Sequence, residues 1–152
     1  MCGFASLRHG YLGHGNGSRF LMSTFSEGLV ARAVALIVGC SSGRPRLDGR
    51  HEPYASVFNH LIAGSPTVLS LLWDVTDRDI DRFTKAFLTG WLIEGEQRQQ
   101  QRHPNSEGQK NLGFHIFKAV TACKLQSLVG KSVVVYGLPA EPVKKPPTSS
   151  FV

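Results

Sequence analysis

At 152 residues with 41% hydrophobic content, the chain has about the length at which one domain buries a real core, so one globular domain or most of one is expected. Cys2, Cys40 and Cys123 form no CxxC pair, the apolar runs fall short of a membrane span, and no charged segment followed by an apolar stretch opens the chain, which together predict a soluble intracellular protein without a secretory leader. The formal charge of +6 favours acidic partners, but the basic residues are scattered, the densest group being Lys144 and Lys145, and no nucleic-acid-binding pattern accompanies them, so direct nucleic-acid binding is not expected.

Residues 31–38, ARAVALIV, are apolar apart from Arg32, rich in β-branched side chains and bounded by Gly39, as suits a strand buried on both faces. Residues 54–63 follow as a helix with Val57, Phe58, Leu61 and Ile62 on its buried side, stopped by Gly64 and Pro66. Residues 67–75, TVLSLLWDV, make a second strand. Strand, helix and strand at this spacing form a βαβ unit, which predicts parallel pairing and a right-handed crossover.

Thr76 stands at the cap of the next helix with Asp79 in capping-box position, and Ile80, Phe83, Phe87 and Trp91 repeat at helical spacing. At about 100° per residue, Asp79 falls among the solvent-facing Arg78 and Arg82, while Asp77 and Asp81 border the apolar stripe. Residues 94–110 lose all periodicity and predict a solvated loop. A last helix is expected over residues 114–128, burying Phe117, Val120 and Leu128 and ended by Gly130. Residues 133–136 form the closing strand, and the tail beyond Pro139 is too poor in apolar residues to pack.

In a parallel α/β sheet, reacting groups gather outside the carboxyl ends of the strands, and Cys40 directly follows the first buried strand in the glycine-flanked GCSSG. The alternative is a cysteine that merely fills space at a strand end. In YLGHGNG, residues 11–17, three glycines surround His14 and let a substrate approach the backbone closely. That string lacks the Lys-Ser/Thr of a phosphate loop, and the histidines and cysteines show no zinc-ligand spacing, so neither a metal nor a cofactor is expected. A thiol is only a few per cent ionised at neutral pH, so a nucleophilic cysteine needs a base, which His14 could supply. The backbone N–H groups of Cys40 and Gly15 could then hold the oxyanion of a tetrahedral intermediate.

Together, GHGNG at 13–17, GCSSG at 39–43, AGSP at 63–66 and LWDVTDRDIDRF at 72–83 resemble separase in content, order and spacing. VVVYGLP at 133–139 is similar to a strand near that family's end, so the resemblance runs over about residues 10–139. It implies an α/β, caspase-like fold, with a mostly parallel sheet flanked by helices and a His14–Cys40 dyad. It further implies cleavage of the cohesin kleisin subunit after arginine, to release sister chromatids at anaphase, and inhibition by a securin-like pseudosubstrate. A cysteine endopeptidase of this kind would reside in nucleus and cytoplasm and join the spindle during division. The segment CGFASLRHG shows no clear hydrophobic strand, which predicts that N-terminal strands are missing and are supplied by the N-terminal remainder of a longer chain. The domain arrangement expected is a partial protease domain over 1–139, with a polar insertion at 94–111 and a disordered tail at 140–152.

A protease selecting arginine needs a carboxylate in its first specificity pocket. The resemblance favours Asp81, with Asp74 at a strand end and Asp77 as the other candidates; the bland alternatives are that Asp81 pairs with Arg78 or Lys85 on the surface and that Asp74 anchors the following turn. Two rival functions stand beside this one. One is another caspase-like peptidase, related to gingipains or bacterial caspase homologues, against which LWDVTDRDIDRF argues. The other is a noncatalytic separase-like fragment that binds partners without cutting.

Overall fold

The computed structural model describes residues 4–12, 33–47, 49–94, 111–138 and 140–142. Its frame is one mixed sheet of five strands in the order β4, β3, β2, β1, β5. The strands are β1 (Phe4–Leu12), β2 (Ala33–Val38), β3 (Thr67–Leu71), β4 (Val133–Gly137) and β5 (Glu141–Pro142). β1 runs parallel to β2 and β5, and β2 parallel to β3, while β4 returns antiparallel against β3. The expected βαβ unit is therefore present, with α1 (Ser56–Ile62) as the helix between β2 and β3.

Because side chains alternate along a strand, an unbroken apolar run such as AVALIV serves both faces of the sheet. Val34, Leu36 and Val38 of β2 join Leu69 and Leu71 of β3 on one face, and Ala35 and Ile37 join Val68 on the other. Helix α1 covers the second face through buried Val57, with Phe58 and Leu61 packed beside it. It stops where expected: Gly64 takes φ 99°, and its N–H and that of Ser65 donate back to Leu61 O and His60 O, the paired bonds that close a helix on a left-handed glycine.

The first face is covered by α2 (Asp77–Leu88), continued by a π-helical turn (Thr89–Glu94), together with α3 (Leu112–Val120) and α4 (Gln126–Ser132). Ile80, Phe83, Phe87 and Trp91 all lie in this core, as their spacing predicts, and Phe87 stacks between Phe83 and Trp91 with ring centres 6.0 and 5.5 Å away. Trp91 is 0% exposed, and truncating such a ring costs about 3–5 kcal/mol.

Several expectations need correction. The segment expected to lack a strand forms β1, whose run FASLRHGYL mixes Arg8, His9 and Gly10 and so carries no apolar signature. Its place comes from backbone pairing with β2, with a register shift between Leu7 and His9. β3 ends at Leu71 instead of Val75: Leu72 N–H still donates to Ser132 O in the same register, but Ser132 is the last residue of α4, so the partner strand goes no further. The single helix expected over 114–128 is two helices, α3 and α4, and Gly130 lies inside α4, its Cα facing Val120 so closely that a methyl group would sit 3.1 Å from that side chain. Phe117, expected inside, is 72% exposed; Ile62 is 80% exposed, and Leu128 is exposed as well. Residues 140–142, expected in the disordered tail, bury Ala140 and add β5 beside β1.

Asp79 is the largest departure. It is not a capping-box or solvent-facing residue but 1% exposed, and its carboxylate accepts the N–H of Lys124 at 2.9 Å, the N–H of Leu125 at 3.1 Å and Arg82 Nη1 at 2.9 Å. Helix α2 thereby holds the turn between α3 and α4, which is why that stretch breaks into two helices.

Candidate active site

Cys40 follows β2 by one residue, in a tight turn at the carboxyl end of the strand. The turn closes on itself through Ser42 N–H to Gly39 O at 3.1 Å and Arg44 N–H to Ser41 O at 3.2 Å. Its second half is anchored to the sheet. Ser42 Oγ donates to Ile37 O at 2.5 Å and accepts Leu71 N–H at 3.2 Å, bridging the ends of β2 and β3. Gly43 N–H donates to Leu71 O at 2.8 Å, and Tyr136 of β4 donates its phenol to Gly43 O at 2.8 Å. Burial raises the Tyr136 pKa, which keeps that phenol a donor. Gly43 has to be glycine, since a methyl group there would collide with the Ser70 side chain and stand 3.0 Å from Val134.

The first half of the turn faces the segment between β3 and α2. The Cys40 thiol is half-buried and donates to Val75 O at 3.4 Å, and Ser41 Oγ donates to Asp74 Oδ1 at 2.6 Å. For the sulfur to act as a nucleophile, a base has to take the thiol proton. Beside the turn lies a cavity of about 140 Å³ lined by Ser41, Ser42, Arg44, Arg46 and Tyr54 together with Ala55 and Ser56. Arg46 and Tyr54 are held together by exchanging backbone hydrogen bonds of 2.8 and 2.9 Å.

Of the sequence candidates, Cys40 and the acidic segment are brought together, since Val75 directly precedes Thr76, the cap of α2. Asp74 is exposed and bonded to Ser41; Asp77 opens α2 and Asp81 lies one turn further along, both exposed. His14 and Gly15 lie outside the described residues. The register between the first two strands sets Leu12 opposite Val38, so the chain leaves β1 beside the point where it leaves β2 for Cys40. Sequence reasoning missed Ser41, Ser42 and Tyr136. The two serines stand in the motif itself, whereas nothing in the sequence marks a tyrosine 93 positions from the carbonyl that it holds.

Residues 9–80 match the family model described as "Separin, protease domain". The separin of Emericella nidulans is 41% identical over 133 residues, which is 85% of this chain and 6% of that relative. The separin of Mus musculus is 43% identical over 129 residues, again 85% of this chain and 6% of the relative. This chain belongs to the separin family. A crystal structure of the Saccharomyces cerevisiae separase–securin complex superposes with a TM-score of 0.67 at 31% identity, covering 87% of this chain and 8% of that one. Cys40, its clamped turn and the Asp74–Ile80 stretch all fall inside the segment matched by the separin protease-domain family. The chain spans only 6% of the length of these two separins.

Proposed function

We propose that this chain carries the reacting centre of a separase-type cysteine endopeptidase, with Cys40 as nucleophile and His14 as its base. The observation that carries this reading is the Cys40 thiol itself, half-buried at the carboxyl end of a parallel strand in a turn anchored on both sides. Leu12 opposite Val38 supports the pairing, because His14 is two residues beyond Leu12 in the sequence. In the reaction His14 takes the thiol proton, and sulfur bonds to the scissile carbonyl carbon. The N–H groups of Cys40 and Gly15 receive the resulting oxyanion. Collapse breaks the C–N bond, the leaving amine takes the proton from His14, and water then hydrolyses the thioester.

The substrate proposed is the cohesin kleisin subunit, cut after arginine at anaphase, with Asp81 meeting the arginine and Asp77 one turn before it. A caspase-like arrangement, a securin-like inhibitor and a nuclear and cytoplasmic location with spindle association belong to the same reading. The yeast separase–securin complex supports the inhibitor, and the small share of the relatives' length supports a long remainder of chain as the working context. The test is an arginyl peptide carrying an acyloxymethyl ketone, applied to the full-length protein. Labelling at Cys40, lost in Cys40→Ser and with turnover abolished in His14→Ala while both variants stay folded, is the expected result. A wild-type protein that resists labelling, or a Cys40→Ser variant that turns over a kleisin peptide at near wild-type rate, would leave the noncatalytic partner-binding role in its place.

A further inference from the structure

We propose that Asp74 is a positioning residue for Cys40 that acts through the hydroxyl of Ser41; this deepens the peptidase reading and rests on it for its kinetic consequences. Ser41 is the one described non-glycine residue with positive φ, 55°, in the left-handed region that side chains disfavour. Glycine would adopt this conformation freely and stands at both Gly39 and Gly43, yet position 41 holds a serine, and its hydroxyl is engaged.

Ser41 is also the joint of the turn. On its C-terminal side, Ser42 and Gly43 are pinned to β2, β3 and β4. On its N-terminal side is the reacting residue. With β2 holding the chain before it and Ser42 and Gly43 pinned after it, the φ of Ser41 sets how the short Gly39–Cys40 link is turned relative to the sheet. Relaxing Ser41 to a negative φ would draw the thiol away from Val75 O. The Ser41–Asp74 and Cys40–Val75 contacts are consecutive on both segments, so together they fix the orientation of one segment against the other. The Asp74 oxygen that accepts Ser41 is thus aimed at the nucleophile turn and not at a neighbouring residue of its own loop, 33 positions separating the two partners.

This role differs measurably from contact with a substrate arginine. An arginine contact needs the negative charge of Asp74, whereas holding Ser41 needs only an acceptor oxygen, which Asn provides. In the full-length protein we expect Asp74→Ala and Ser41→Ala each to lower kcat for an arginyl peptide by about tenfold with KM nearly unchanged, and the double variant to be no worse than the poorer single one. Asp74→Asn should retain most of kcat. Ser41→Gly, which reaches positive φ without help, should make Asp74→Ala nearly silent. A second readout needs no turnover: alkylation of Cys40 by iodoacetamide, followed by mass spectrometry, should quicken alike in Asp74→Ala and Ser41→Ala and stay unchanged in Asp74→Asn. That alkylation pattern without arginyl turnover in the wild type would sink the peptidase reading and leave the positioning role standing. Asp74→Asn as impaired as Asp74→Ala, a rise in KM alone, or losses that multiply in the double variant would overturn it.

Discussion

Asp79 and Lys124 are joined across 45 positions of chain by a bond of 2.9 Å from backbone N–H to carboxylate. The same carboxylate takes the next N–H, that of Leu125, so one side chain of α2 satisfies two amides of the turn that leads into α4. Asp79→Ala leaves both N–H groups without their acceptor at a part-buried turn. Amide exchange at Lys124 and Leu125 should accelerate well beyond that of their neighbours in α3, and the thermal midpoint should fall by several degrees. Unchanged exchange at those two amides would show that the clamp is dispensable.

The same carboxylate gives the fold an acid limb. Its pKa is held below the ordinary value of 3.8, first by the Lys124 N–H, with burial opposing, then by the Leu125 N–H and by Arg82 through a hydrogen bond and its charge. A carboxyl whose folded pKa is depressed stabilises the folded state above the unfolded pKa, and that stability is lost as pH falls through the folded value. The protein should therefore weaken below about pH 4, and Asp79→Asn, which cannot titrate, should show a flatter loss in urea unfolding between about pH 5 and pH 2. Parallel acid limbs for the two proteins would assign the effect to other carboxylates.

Tyr136→Phe removes the donor to Gly43 O and keeps the ring that meets Phe58 edge-on at 5.7 Å. The expected loss of stability is about 0.5–1.5 kcal/mol, that of one intramolecular hydrogen bond. Because the lost bond anchors the Cys40 turn, kcat for an arginyl peptide should drop further than this small destabilisation accounts for. A variant with wild-type kcat would mean that the bonds of Ser42 and Gly43 anchor the turn by themselves.

Asp81→Ala should lower kcat/KM for arginyl substrates by an amount typical of losing one partner of a desolvated charge pair, roughly 2–5 kcal/mol. Asp79 is no neutral control for this experiment, being a buried clamp, and Asp77 is the informative comparison. A larger loss in Asp77→Ala would move the arginine contact one helical turn back.

How much of this was legible depended on whether the signal was local. β2 announces itself by an unbroken apolar run and α2 by an apolar stripe at the helical period, and Gly64 ends α1 for a reason visible within two residues. β1 does not, since its pairing is made by backbone groups and its sequence is mixed. Asp79 is expected among solvent-facing residues, yet it stands four positions before Phe83, about 40° round the helix, and is buried at the edge of the apolar stripe under the turn between α3 and α4. Cys40 could be singled out by its place after a buried strand, whereas the Ser41–Asp74 bond spans two loops and has no sequence periodicity to betray it.

The pairing of β1 with β5 bears on the order in which the chain folds. Phe4 lies against Glu141 and Ala5 against Pro142, so forming this ladder closes a loop around nearly everything between the two strands. The pairing of β2 with β3 needs only the short α1 crossover, and that of β3 with β4 a longer but still partial closure. Since closure entropy grows with loop length and has to be met before distant contacts form, the β2–α1–β3 unit assembles early and β5 docks last. Until it does, Phe4 and Ala5 at the start of the outer edge of β1 lack the pairing that β5 gives them, and that interval is when this corner of the nascent sheet is most exposed to pairing with another chain.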